Sequence, residues 1–328
     1  TLKKIMVNFR NCEFSGNVAE GERGGAIWIN TESECTIDGC SFNNDQVSNS
    51  ANKFGHAVYA DASSRVYITD TTFTNCGSQG LGSVVIFEGQ KICMEDNTIQ
   101  YTQENDGSRG FEAIVATDIQ LIRNRFVRCH STGWGGGVHL RLINVAETDN
   151  TVLLFEDLIF DNNTASNGCA ALFETSIPPD IHGCTIRNHQ SGKYVFCIFF
   201  NVLQSYYDLR TCTFESNSYG VTETSRDGGG AGIWIANNKE IAQQRSLQLF
   251  FTECQFRDNI SPEFGGAFGI GSSDTVKATE LVLDSCTFAA NTAQESGGAL
   301  WIATRSNIEI KNCAFRNNRA LSNAGSII

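Results

Sequence analysis

The chain has 328 residues, 41% of them hydrophobic and 18% charged, with a formal net charge of −12. That balance excludes phosphate-backbone binding as a main task, because nucleic acids are held by clustered Lys and Arg. The apolar content is too high for disorder, and no stretch approaches the roughly 18 uninterrupted apolar residues of a membrane-spanning helix.

Taken in chain order, the elements repeat. Cys12-Glu13-Phe14 is followed three residues on by Asn17, and the same spacing returns at Cys212/Phe214/Asn217, Cys254/Phe256/Asn259, Cys286/Phe288/Asn291 and Cys313/Phe315/Asn318. Cys40-Ser41-Phe42 and Cys184-Thr185-Ile186 are shorter copies, and weaker ones centre on Phe73, Ile99, Phe126 and Phe160. The eleven anchors recur on average about every 30 residues, a solenoid period. Upstream of each lies an apolar-x-apolar step, such as Cys35/Ile37, Val66/Ile68, Leu249/Phe251 or Ile308/Ile310. Downstream comes a small-residue turn and a third apolar piece: Gly24-Gly25-Ala26-Ile27-Trp28-Ile29, Gly265-Gly266-Ala267-Phe268-Gly269-Ile270 and Gly297-Gly298-Ala299-Leu300-Trp301-Ile302. All three pieces alternate with period 2, which is strand patterning.

Three short strands and three turns per repeat predict an all-β fold: a single right-handed parallel β-helix of about eleven coils, roughly 50 Å long at the strand spacing. A leucine-rich repeat would need its Leu-x-x-Leu-x-Leu spacing, and a propeller blade four antiparallel strands. Residues 1–328 read as one repeat domain, with loop insertions near 141–151 and 217–246. Thr1 and the last residue fall inside repeats and no signal peptide precedes them, which reads as a processed chain or a segment of a longer one.

In such a stack each repeat position becomes a column. Nine of the eleven anchors are Phe, an internal aromatic stack. Seven anchors have Cys two residues earlier, which suits a column of buried free thiols, small and soft. A Cys35–Cys40 bridge is disfavoured because Cys35 also points inward. Cys76 and Cys129 fall at the Asn position and read as turn residues. The Asn column reads as turn chemistry, Asn tolerating left-handed backbone and bonding its neighbours above and below.

The alternation of Phe-x-x-Asn with Gly-Gly-Ala-(Ile/Leu/Val), nearest to consensus at 14–27, 214–233, 256–268 and 288–300, resembles the repeats of the chlamydial polymorphic outer membrane protein family. Similar repeats occur in surface proteins of some protists. The resemblance implies a secreted or cell-surface β-helix passenger used in adhesion. It also implies an N-terminal signal and a C-terminal membrane barrel, neither of which is in these residues.

In the third strand the residue between the two inward ones points to solvent. Down the stack that position reads Trp28, Tyr59, Val115, His139, Trp234, Gly269 and Trp301. An outward aromatic stripe is a contact surface in waiting. The partners it suggests are a surface molecule of a host or neighbouring cell, a glycan, or a second copy of the chain, unless inserted loops fold back over it. The rival reading is a carbohydrate-active β-helix enzyme, a lyase or hydrolase. Glu147, Asp149, Glu156, Asp157 and Asp161, with Arg141, are its candidates, needing carboxylates at set separations. A third reading is a subunit of an extracellular filament formed by end-to-end stacking. The five His (His56, His130, His139, His182, His189) have no metal-ligand spacing, no nucleophile motif appears, and no cofactor is implied. Asn162 of Asn162-Asn163-Thr164 is a candidate glycan acceptor; Asn259, in Asn259-Ile260-Ser261, is compromised by its ladder position and by Pro262.

Overall fold

A computed structural model of the chain describes residues 5–21, 23–48, 55–77, 82–102, 108–114, 116–142, 151–166, 168–175, 177–191, 196–200, 206–219, 233–237, 247–270, 279–302 and 306–327. The apolar-x-apolar steps form the first sheet, eleven parallel strands in register from Met6–Arg10, on Glu34–Asp38, through to Ser306–Lys311. The Cys-x-Phe pieces form a second sheet of eleven, Glu13–Ser15 to Ala314–Arg316. The pieces after the glycine turn form a third of ten, Ile27–Ile29 to Leu300–Ile302. Ten coils place one strand in each of the three sheets and the last coil places one in the first two, so the predicted eleven coils are present. Of the insertions, 143–150, 220–232 and 238–246 lie outside the described residues. Within the second, Ser218–Tyr219 and Ile233–Asn237 are the coil's own strands rather than inserted loop.

The anchors stack as the sequence requires. Phe14, Phe42 and Phe73 lie 4.6 and 4.7 Å apart, centroid to centroid, and Phe214, Phe256, Phe288 and Phe315 follow at 4.9, 4.8 and 4.7 Å within 5° of parallel. Ile99 and Ile186 interrupt the column and keep it apolar.

Every coil turns twice through left-handed backbone. The first corner does so at one residue per coil, from Asn11 (φ 52) through Arg123 (φ 52) and Thr211 (φ 54) to Asn312 (φ 53). The second does so from Gly16 (φ 65) through Tyr101 (φ 55) and Arg128 (φ 52) to Asn317 (φ 54). These residues immediately precede the Cys and Asn columns. The left-handed residue is therefore the neighbour of the ladder Asn and not the Asn itself, a correction to the turn reading.

What the ladder residues do is satisfy backbone at the corners. A buried carbonyl needs a donor. At the first corner the Cys thiols supply it weakly: Cys254 Sγ lies 3.3 Å from the Leu209 carbonyl and Cys286 Sγ 3.3 Å from that of Phe251. Where the column lacks Cys, Asn97 and Asn124 donate to Ile68 and Met94 at 2.8 and 2.7 Å. The twelve cysteines whose side chains are described are all free, Cys35 and Cys40 included. Hydrogen bonding from the thiol below, then burial, pushes Cys254 and Cys286 well up, so these thiols stay protonated. Cys76 and Cys129 are buried ladder members rather than turn residues, because the chain has already turned one residue earlier. Burial pushes the Cys76 thiol up to about 12.

The third corner is the Gly-Gly pair. Gly265 is left-handed (φ 59), and a Cβ on Gly266 would lie 2.2 Å from the Gly298 carbonyl and 2.7 Å from the Thr292 amide nitrogen, both rigid backbone of the next coil. Gly266→Ala therefore forces two coils apart. It should cost about 3 kcal/mol in denaturant unfolding, whereas Gly21→Ala, with nothing within 4 Å of its Cβ, should change little. Equal losses would show that the close approach is not what excludes a side chain.

The outer faces of the first two sheets are held by charges of opposite sign on successive coils. Lys91–Asp118 (2.6 Å), Arg187–Asp161 (2.7 Å) and Arg257–Glu215 (2.9 Å) are such pairs. Each is worth at most about 1 kcal/mol at the surface, and Asp180 and Asp208, like charges directly opposite in this register, have Arg210 set against both carboxylates.

Candidate binding face

The outward column of the third sheet follows from its register. It runs Trp28, Tyr59, Ile86, Glu112, His139, Leu172, then Cys197 and Trp234, and finally Gly269 and Trp301. Glu112 takes the place expected for Val115, which lies outside the described residues. The side chain of Trp234 is likewise outside them; its backbone holds the expected register.

This face is not an open aromatic stripe. Tyr59 and His139 are buried, as are Ile86, Glu112 and Leu172. Tyr59 lies under the Arg23 guanidinium and donates its hydroxyl to Glu88 Oε2 at 2.7 Å. His139 is closed in by two carboxylates and by Trp134, whose ring meets it edge-on at 6.4 Å. Trp28 remains 55% exposed, and Trp301, half-buried, stacks on Phe264 at 4.7 Å.

Two clusters of charge are organised on it. The first belongs to the opening coils: Arg23 lies 4.9 Å over the Tyr59 ring and 5.9 Å from that of Trp28, and donates to Asp61 Oδ2 at 3.0 Å. The second is central and deeper. Arg109 (3.0 Å) and the Ser83 hydroxyl (3.2 Å) donate to Glu112 Oε2, while Glu112 Oε1 lies 3.3 Å from His139 Nδ1. The other ring nitrogen, Nε2, is 3.0 Å from Glu174 Oε2. Arg141 stands within 4.0 Å of both carboxylates. One imidazole thus has a carboxylate on each nitrogen, and two guanidiniums offset the negative charge. Buried ionic groups persist only when paired in this way. Arg141 and His139 were visible as single residues in the sequence. Glu112 and Glu174 were not, because only the register brings positions 27 and 35 residues from His139 onto one column and its flank.

The carboxylates proposed for an enzyme do not converge. Glu147 and Asp149 lie outside the described residues. Glu156 is on the first sheet, 3.7 Å from His182; Asp157 is a left-handed corner residue; Asp161 is on the second sheet, bound to Arg187 and Asn188. They occupy different faces because consecutive strands of one coil point in different directions. Among the described residues, no group of three or more His, Cys, Asp and Glu is placed to hold a metal ion, and no helix is long and apolar enough to cross a membrane. Asn162 is an exposed left-handed corner residue (φ 53), whereas Asn259 is buried.

A model of the right-handed β-helix region matches residues 3–152. The match takes in the first coils, and the same three sheets continue in register beyond it. The fold is a right-handed parallel β-helix. No curated protein and no solved structure matches the chain. Within this β-helix the third sheet stands apart: its outer face, unlike the other two, buries aromatic and ionic side chains together.

Proposed function

We propose that this chain is the recognition rod of a secreted or cell-surface protein, adhesive in role, which binds a partner molecule or a glycan through the outer face of its third sheet. The observation that carries the reading is Trp28. It is the most exposed of the described aromatics on this face, more than half open to solvent, with the Arg23 guanidinium and its Asp61 carboxylate partner already set beside it. Exposed aromatics ringed by polar groups are the usual anchors of binding sites. The likeness of the Phe-x-x-Asn and Gly-Gly-Ala-Ile repeats to chlamydial polymorphic outer membrane proteins supports an extracellular setting and an adhesive role.

One observation favours a second reading, a carbohydrate-active enzyme. The carboxylates of Glu112 and Glu174 flank His139 with Arg141 beside them, groups able to pass a proton and hold an anionic substrate. A glycan array read for both binding and turnover separates the two. Trp28→Ser, Trp234→Ser and Trp301→Ser combined should abolish binding with the β circular-dichroism signal intact. Glu174→Gln should leave binding unchanged. Binding retained by the triple variant sinks the recognition reading, and turnover lost in Glu174→Gln establishes the enzyme.

A further inference from the structure

The residues around Trp28 go further and specify a chemical class of ligand, an inference that rests on the recognition reading above. Three consecutive coils contribute. Trp28 comes from the first; Tyr59 and Asp61 come from the second and Glu88 from the third. The backbone ladder runs on through these last positions, with Asp61 N–H donating to the Ile29 carbonyl at 2.8 Å and Glu88 N–H to the Ala60 carbonyl at 2.9 Å. Arg23 is the cluster's cation. It is committed to Asp61 Oδ2 at 3.0 Å and to the faces of two rings. Asp61 Oδ1 accepts from the Ala62 amide at 2.9 Å, and Glu88 Oε2 accepts from the Tyr59 hydroxyl at 2.7 Å.

Charge then selects. Arg23 against Asp61 and Glu88 leaves the cluster one negative charge in excess, on a chain whose net charge is −12. An anionic ligand would meet repulsion from Glu88 and from the rod as a whole. A cationic one would compete with Arg23 for the electron-rich ring faces, where like charges repel. The remaining class is neutral, with a flat apolar side to lie on the open part of Trp28 and hydroxyls to bond the rest. Carboxylates accept from hydroxyls, and a guanidinium has N–H groups to spare for ring and hydroxyl oxygens. A pyranose meets all of these conditions: its axial C–H groups present a weakly positive face to an aromatic ring, while its hydroxyls lie at the rim. From Trp28 to Glu88 the cluster spans two coil steps, about 10 Å, long enough for more than one sugar ring along the rod axis.

We propose that Trp28, Arg23, Asp61 and Glu88 form a subsite for a neutral, pyranose-containing glycan. The test is calorimetry and a glycan array on the full chain, with neutral hexose oligosaccharides against uronate-containing, sulfated and sialylated ones. Neutral glycans should bind. Trp28→Ala should weaken them at least about tenfold, while Trp28→Phe, which keeps a ring, should lose less than about threefold. Binding to acidic glycans in preference, to no neutral glycan, or equally in wild type and Trp28→Ala overturns the proposal. A chain that captures a protein partner, loses it in the triple Trp variant and binds no glycan also overturns it, yet leaves the reading of the face standing.

Discussion

Asn259→Leu should lower stability by about 4 kcal/mol, a large loss for a side chain with the same number of heavy atoms and the same branching. Asn259 is fully buried. Its Oδ1 accepts from both the backbone N–H of Asn217 (3.2 Å) and the Asn217 amide (3.1 Å), and its Nδ2 donates to Asn291 Oδ1 (3.0 Å) and the Phe214 carbonyl (2.9 Å). Leucine leaves two donors and one carbonyl buried with nothing to bond, each costing about 1–3 kcal/mol. Asp45, the natural acid in this column, shows what half a repair looks like. It accepts from the Asn17 amide nitrogen and side chain (2.9 and 2.7 Å), and burial pushes its carboxyl up. Asn259→Asp should therefore fall between wild type and Asn259→Leu, keeping the acceptor and losing the donor. Denaturant unfolding gives the magnitudes, and hydrogen exchange at the Asn217 amide the locality, since a solenoid coil loosens with its neighbours first. A loss below about 1 kcal/mol for Leu would mean that the ladder is decoration and the Phe stack carries the corner.

The same ladder explains what was legible in the sequence. Phe214, Phe256, Phe288 and Phe315 recur with Cys and Asn at fixed offsets because each offset is a place in a coil, and stacking makes every place a column. The left-handed corner residues escape such reading. Tyr101, Arg123 and Thr211 have no preference for positive φ; position in the coil imposes it, supported by the bonds on either side. At one coil the sequence pattern puts the third-sheet column on the wrong residue, for a related reason. Where Gly-Gly-Ala should mark the start of the strand, the chain has Ser108-Arg109-Gly110, and without the glycine pair the sequence pattern points to Val115 instead of Glu112. A shift of three residues is odd, and an odd shift exchanges inside for outside. Glu112, and with it the central ion cluster and the burial of His139, therefore has no signature in the repeat pattern. A carboxylate at 0% exposure carries no sequence signal until its register is known.

Acid should weaken the rod at two buried histidines, His189 and His56, and His189→Asn should remove the share of the first. His189 occupies the Asn column between Asn163 and Asn217, fully buried. Its Nδ1 lies 3.0 Å from the amide nitrogen of Asn163 and 3.0 Å from the Asn163 carbonyl. Elsewhere in the ladder that N–H is met by a side-chain acceptor, so Nδ1 takes it and the ring hydrogen sits on Nε2. Nε2 is buried without a hydrogen-bond partner among the described residues. Burial lowers the His189 pKa from 6.5 to about 4, with only partial opposition from hydrogen bonding to the Asn163 backbone, from the nearby Asp161 carboxylate and from the Phe160 backbone. Between pH 6.5 and about 4 the unfolded chain binds a proton that the folded one refuses. Stability present above 6.5 is then lost as pH falls through that window, by roughly 3 kcal/mol in all, and the loss levels off below it. His56, buried in the place of the second turn glycine with its Nδ1 3.4 Å from the Val47 amide nitrogen, is lowered to about 4 over the same window. His189→Asn supplies both an acceptor for Asn163 and a donor amide, so it should raise stability at neutral pH by about 1 kcal/mol. It should also remove about half of the acid slope, leaving the His56 share. Unfolding free energies at pH 7.5, 5.5 and 4.0 for the two proteins decide the matter. Parallel curves would show that His189 is protonated without cost, and so that the coil around it opens to water before the rod unfolds.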